Sequence, residues 1–172
     1  DGHTGRISTA EFTPDGSRIV SSSTDGTTRV WNPTNLETPG HADVISDATF
    51  HPNGTTVVTS SYDGTLKVWG PVDDEPWPAP TTLGCGLRVG HEDWVTSVEF
   101  SPDGDKLVSG ARDKTIKCWN ADNPCAPPQT GRAHLGSVTD ISFSPDGTKF
   151  VSGSCDGTIA VWNTGNCSAP LY

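Results

Sequence analysis

Apolar and polar residues alternate in short runs along the whole chain, and no stretch carries the spacing of an amphipathic helix. In WVTSVEF, residues 94–100, the apolar side chains Val95, Val98 and Phe100 fall on a spacing of three and then two. A regular strand alternates by two, so the break predicts a β-bulge that re-aims the residues before it. The next run, KLVSGA at 106–111, follows a Pro-Asp-Gly in which proline sets φ and glycine permits a positive φ. A tight turn therefore joins the two strands. A third run, TIKCW at 115–119, follows Asp113-Lys114-Thr115, whose counterparts elsewhere read Asp-Gly-Thr, a strong hairpin signal. Neighbouring apolar residues such as Leu107 with Val108, and Phe150 with Val151, point to opposite faces of one sheet. Such a sheet cannot bury itself and needs covering on both sides.

The same order of runs occurs four times. GHTGRISTAEF, GHADVISDATF, GHEDWVTSVEF and AHLGSVTDISF each place an aromatic nine residues after the His, and each leads to a Trp twenty-eight residues after it. The turns PDG, PNG, PDG and PDG lie between, and an Asp stands six residues before every Trp. The segments 32–40, 71–89, 121–132 and 163–172 vary in length, and each is expected to add a fourth, outer strand. Repetition at this period has to be read before any single residue is given a role.

Four-stranded antiparallel units of about 40 residues, marked by Gly-His and Trp, resemble the WD-repeat family, and the resemblance covers essentially the whole chain. It implies an all-β propeller of four antiparallel, four-stranded blades, with repeats at approximately 2–40, 41–89, 90–132 and 133–172. The chain departs from the family pattern where the Asp after the Trp is replaced by Asn32, Gly70, Asn120 and Asn163, and where the fourth copy opens on Ala133-His134. WD blades usually close as rings of about seven or eight. The chain lacks Met and begins Asp1-Gly2-His3, so the expectation is a segment of a larger propeller, completed by further blades or by a second chain.

The resemblance also assigns the histidines. It implies a structural tetrad in each copy: His3, Ser21, Asp25 and Trp31; His41, Thr59, Asp63 and Trp69; His91, Ser109, Asp113 and Trp119; His134, Ser152, Asp156 and Trp162. Ser, His and Asp together also suit a hydrolytic triad, but a nucleophile needs one oxyanion hole and one pocket, not four equivalent copies. The reading is structural, with no catalytic residue. Single histidines 38, 50 and 43 positions apart lack the local spacing of metal ligands, so no metal and no cofactor is expected. His51 reads as an exposed turn residue.

Function then belongs to residues that differ between copies at equivalent positions. In WD-repeat propellers partners often dock on the top face, through side chains six and four residues before the first-strand aromatic and the one before the tetrad Asp. The resemblance places Arg6, Val44, Tyr62, Trp94, Thr96 and Arg112 on that face, together with Ser8, Thr24, Ser46, Ser137, Thr139 and Cys155. Trp, Tyr and Arg dominate interface hot spots, which singles out Trp94, Tyr62 and Arg112. Trp94 covering a blade edge is the plainer alternative. A second candidate is the Pro-rich acidic insertion at 70–86, where Asp73, Asp74 and Glu75 stand beside Trp77. Its prolines favour an extended, exposed recognition element, and a solvated loop with Trp77 packed back on its own blade is the even alternative.

Charge and cysteine narrow the setting. The net charge of −10, from 11 basic and 21 acidic residues with no basic run, argues against direct nucleic-acid binding, which needs clustered cations. No stretch approaches the length of a membrane span. Five cysteines at irregular spacing favour free thiols and an intracellular, cytoplasmic setting, with Cys125–Cys167 the one bridge considered. The resulting expectation is a non-enzymatic protein–protein interaction scaffold within a multiprotein assembly. Two alternatives stand beside it. GHEDWVTSVEFSPD and SGARDKTIKCWN resemble the receptor for activated C kinase, which implies a ribosome-associated scaffold, and the chain also suits a sensing module of a larger enzyme or signalling protein.

Overall fold

The computed structural model describes residues 3–12, 19–31, 36–70, 80–84 and 89–172, with side chains left aside over 30–39. Four antiparallel sheets follow one another along the chain. Blade 1 is β1 (Ile7–Phe12), β2 (Ile19–Ser23), β3 (Thr27–Trp31) and β4 (Leu36–Pro39). Blade 2 is β5 (Ile45–Phe50), β6 (Val57–Ser61), β7 (Leu66–Trp69) and the short β8 (Thr81–Thr82). Blade 3 is β9 (Val95–Phe100), β10 (Lys106–Ala111), β11 (Thr115–Asn120) and β12 (Gln129–Arg132), and blade 4 is β13 (Val138–Phe143), β14 (Lys149–Ser154) and β15 (Ile159–Asn163). The first strands of successive blades pack side by side, β1 on β5, β5 on β9 and β9 on β13, and the sheets form an open arc.

The break in hydrophobic spacing is a bulge in every blade. Register slips between Ile7 and Thr9, between Ile45 and Asp47, opposite Gly110 and Ala111, and between Val138 and Asp140. The slipped position carries a hydroxyl each time: Ser8, Ser46, Thr96 and Thr139. In the interior blades the bulge aims that hydroxyl at the next blade, where Ser46 donates to the Val95 carbonyl at 2.6 Å. Thr96 Oγ1 sits between the carbonyls of Gly110 (2.9 Å) and Val138 (2.7 Å). The one proton of Thr96, a residue expected on the partner face, is thus engaged inside the molecule.

The core lies between blades. Val20 of blade 1 meets Val57 and Trp69 of blade 2; Val58 and Leu66 of blade 2 meet Val95, Val98, Phe100 and Trp119 of blade 3; Val108 and Ile116 of blade 3 meet Val138, Ile141, Phe150 and Trp162 of blade 4. Each interface therefore joins a trailing face, contributed by the second and third strands, to a leading face built on the next first strand and Trp. The hairpin glycines Gly26, Gly64 and Gly157 adopt φ near +80°, and Lys114 takes the same left-handed position at 69°. A non-glycine residue there costs on the order of 1 kcal/mol of backbone energy.

Three expectations change. Blade 4 has three strands, because after β15 the chain turns back to blade 3, where the Cys167 amide donates to Gln129 Oε1 at 3.0 Å. Only Leu171 and Tyr172 return, bonding Val161 of β15 through the backbone. The cysteines are not free thiols as a class: Cys118 and Cys167 form a disulfide across 49 residues with a Cα–Cα distance of 6.3 Å. Cys125 is disulfide-bonded as well, and Cys155 is the free cysteine among the described residues. Because β11 and the segment after β15 belong to packed neighbours, Cys118 reaches Cys167 and the Cys125–Cys167 pairing does not form. The intracellular setting loses the premise on which it rested. Finally, His51 is half-buried: its ring packs edge-on against Phe100 at 4.9 Å and lines a cleft of about 250 Å³ between blades 2 and 3.

Candidate functional site

The conserved spacing of His, hydroxyl, Asp and Trp within the copies becomes a hydrogen-bonded chain in space. In blade 3 the Trp119 indole N–H donates to Ser109 Oγ at 2.9 Å, and Ser109 Oγ lies 2.8 Å from His91 Nε2. His91 Nδ1 is 2.9 Å from Asp113 Oδ2. The indole can only donate, so the serine hydroxyl donates onward to Nε2, and the imidazole proton sits on Nδ1 facing the carboxylate. Blade 2 repeats the chain through Trp69, Thr59, His41 and Asp63, with distances of 2.8, 2.7 and 3.0 Å. In blade 1, His3 reaches Ser21 at 2.7 Å and Asp25 at 3.3 Å, while the Trp31 indole lies outside the described side chains.

A fifth member completes each chain, and sequence reasoning did not assign it. Thr27, Thr65, Thr115 and Thr158 place Oγ1 within 2.9–3.2 Å of the histidine Nδ1. Each donates to Oδ1 of the tetrad Asp at 2.6 Å. In blade 4 the His134–Asp156 distance opens to 3.7 Å, and Thr158 bridges the two. The signal was present: Thr stands two residues after the Asp in all four copies.

The electrostatics follow from these bonds. Burial disfavours ionisation of Asp113, but hydrogen bonds from His91, Thr115 and the Glu92 amide outweigh it and hold the carboxyl below the ordinary carboxylate range. Asp63 shows the same balance through His41, Thr65 and the Ala42 amide. Burial pushes His91 below its usual 6.5 against the pull of Asp113, in keeping with a neutral ring beside a carboxylate. Ser109, Thr59 and Ser152 are buried, and the indole proton occupies each hydroxyl oxygen. An attacking oxygen must be reachable by substrate, and these enclosed oxygens instead tie the strands of each blade to one another. Among the described residues no three His, Cys, Asp or Glu side chains gather to hold a metal.

Outside the tetrads one backbone bond recurs in every blade. The residue before the Asp donates its amide to the residue before the first strand: Thr24 to Arg6, Tyr62 to Val44, Arg112 to Trp94 and Cys155 to Ser137. The two variable columns are thereby brought together at one rim. On blades 2 and 3 they combine across the blade boundary. The rings of Tyr62 and Trp94 stack with centroids 4.1 Å apart and planes 4° from parallel, and the Arg112 guanidinium carbon lies 4.3 Å from the Trp94 ring centre. Trp94 still exposes 38% of its surface, and Arg112 is exposed. Val44 is half-buried beside Tyr62, and Arg6 stands exposed on blade 1, outside the stack. Asp73, Asp74, Glu75 and Trp77 lie outside the described residues.

Buried Trp–hydroxyl–His–Asp chains, bulged first strands and packing of sheet on sheet define a β-propeller arc. The chain belongs to the WD40 family (WD domain, G-beta repeat), whose model matches residues 1–32, 34–70, 84–120 and 125–163. A search of curated proteins returned no match. Repeats of this family serve in general as scaffolds for protein–protein interaction.

Proposed function

We propose that this protein is a non-enzymatic interaction scaffold that receives a protein partner on the rim formed by Tyr62, Trp94 and Arg112. The observation that carries the reading is the pair of contacts on Trp94. A partly exposed indole is held by a stacked phenol ring and by a guanidinium from different turns, so its orientation is set before any partner arrives. Preorganised Trp, Tyr and Arg surfaces concentrate binding energy, because little side-chain entropy remains to be lost. The open arc supports completion by further blades, on the same polypeptide or on a second chain, within a larger assembly. The Cys118–Cys167 bond favours a compartment that permits disulfides. No helix among the described residues is long and apolar enough to cross a membrane.

The test is a pair of variants titrated against a partner captured by the wild-type protein. Trp94→Ala with Arg112→Ala is expected to weaken binding by more than about 2 kcal/mol, some thirtyfold, while leaving the melting temperature nearly unchanged. Deletion of residues 72–79, which leaves β8 in place, is the contrast. Loss of binding on deletion, with full affinity in the double variant, would move the interaction surface to the insertion.

A further inference from the structure

The side chains that meet at the rim are rich in donors and poor in acceptors. The Trp94 indole carries an N–H and no acceptor, the Arg112 guanidinium carries only N–H donors and a full positive charge, and the Tyr62 hydroxyl can serve either way. Among the described residues none of these three side chains makes a hydrogen bond. Their contacts are with one another, the Tyr62 ring at 4.1 Å and the Arg112 guanidinium at 4.3 Å from the Trp94 ring centre.

Carboxylates stand close to Arg112 in the chain and still do not pair with it. In a molecule of net charge −10, a guanidinium with a purely structural task is expected to settle on one of them. Each is turned to the backbone or to the tetrad instead. Asp93 Oδ1 accepts the Trp94 amide at 2.8 Å, and Asp43 Oδ1 accepts the Val44 amide at 2.7 Å. Asp113 accepts the Glu92 amide at 3.0 Å on Oδ2 and the Thr115 hydroxyl at 2.6 Å on Oδ1. No carboxylate among the described residues pairs with Arg112, so its charge is answered inside the molecule by the Trp94 ring alone.

We propose that the rim binds an extended peptide segment of its partner, one that presents a single Asp or Glu side chain to Arg112 and lays an apolar residue beside it on Trp94. The proposal rests on the rim being the partner surface, and it adds the chemistry of what that surface receives. Contact with an aromatic ring does not consume the N–H groups of a guanidinium, which remain to grip a carboxylate through two parallel bonds, each stronger than a bond between neutral groups. The apolar neighbour covers the 38% of Trp94 that is exposed. Charge limits how acidic the segment can be. One guanidinium matches one carboxylate, whereas phosphate recognition draws on clustered arginines, and Arg6 stands on blade 1 away from these contacts. A run of acids would be repelled by the net charge of −10.

Random heptapeptides displayed on phage and panned on the wild-type protein, on Arg112→Glu and on Trp94→Ala test the proposal. Both side chains are exposed, and melting temperatures establish that each variant is folded. The wild type is expected to enrich peptides with one Asp or Glu next to an apolar residue. In fluorescence-anisotropy titrations, replacing that acid by its amide should weaken the selected peptide by about tenfold or more. Trp94→Ala should weaken it as well, and Arg112→Glu should lose the acidic peptides and select Lys or Arg in their place. Enrichment of neutral sequences, no enrichment at all, or acidic peptides that bind Arg112→Glu as well as wild type would each overturn the proposal. A phosphoserine peptide that binds more tightly than the acidic one would overturn it in favour of a phosphate ligand. Failure of the rim itself has a different signature. Neutral peptides lost by Trp94→Ala would leave the rim standing and remove only the carboxylate, whereas selected peptides that both variants hold at wild-type affinity would remove the rim as well.

Discussion

Trp119 shows how one side chain ties a blade together. Its indole fills the interface between blades 2 and 3, and its N–H starts the chain through Ser109, His91, Asp113 and Thr115. Trp119→Phe keeps an aromatic ring but removes the donor, leaving the buried Ser109 oxygen one partner short. A loss of about 1–3 kcal/mol in stability is expected in denaturant titrations. Partner affinity measured on the folded fraction should stay at the wild-type value. A variant of unchanged stability that has lost a specific activity would refute the structural role.

Among the elements, β11 and the segment after β15 are joined covalently. The Cys118–Cys167 bond closes a 49-residue stretch, and chain-entropy arguments give such a loop about 4 kcal/mol of stabilisation. Blade 4 depends on it in particular, since its sheet lacks a full outer strand and the returning chain is anchored at Cys167 instead. Peptide mapping without reductant should recover a cross-linked fragment containing both cysteines. Reduction should lower the melting temperature and bring protease cleavage first into residues 164–172. Equal melting curves with and without reductant would show that packing alone holds this segment.

At the scale of the whole molecule, the first strands line up carboxylates. Glu11, Asp47, Glu99 and Asp140 stand on β1, β5, β9 and β13, and burial, followed by the nearby charges of Asp140 and Asp47, raises Glu99 above its usual 4.5. A carboxyl raised by folding binds its proton more readily in the folded state. It therefore weakens the fold at pH values above the unfolded 4.5, and the penalty disappears as the pH falls through the raised folded value. Glu99→Gln keeps an acceptor for the Phe143 amide, now 2.9 Å from Oε2, and removes the charge. The variant is expected to be more stable than wild type at pH 7, with the difference vanishing below about pH 4. Asp63, Asp113 and His91 act in the opposite sense. Their depressed values contribute stability above their unfolded values, near 3.8 for the carboxyls and 6.5 for the imidazole, and that stability is lost on acidification. Thermal melts of both proteins from pH 7 to pH 3 separate the two contributions. A less stable Glu99→Gln at pH 7 would mean that the ionised bond to Phe143 outweighs burial and repulsion.

Local order was legible in the chain because it depends on spacing that a sequence displays. The bulge could be read from the three-then-two break, the turns from Pro-Asp-Gly and Asp-Gly, and the tetrads from four copies in identical register. Thr27, Thr65, Thr115 and Thr158 were equally constant, yet their second hydrogen bond, to histidine, depends on a fold of the hairpin that constancy alone does not describe. What the tertiary structure decided lies between blades. Tyr62 and Trp94 are 32 positions apart in the chain and belong to different repeats, and only the packing of blade 2 on blade 3 lays one ring over the other. Cys118 and Cys167 likewise meet because neighbouring sheets share an interface, while cysteine spacing by itself admits several pairings. The contacts of Thr96 with Val138 and of His51 with Phe100 have the same origin, since a side chain's partner across a blade boundary is set by the rotation of one sheet against the next, which no run of residues within either sheet encodes.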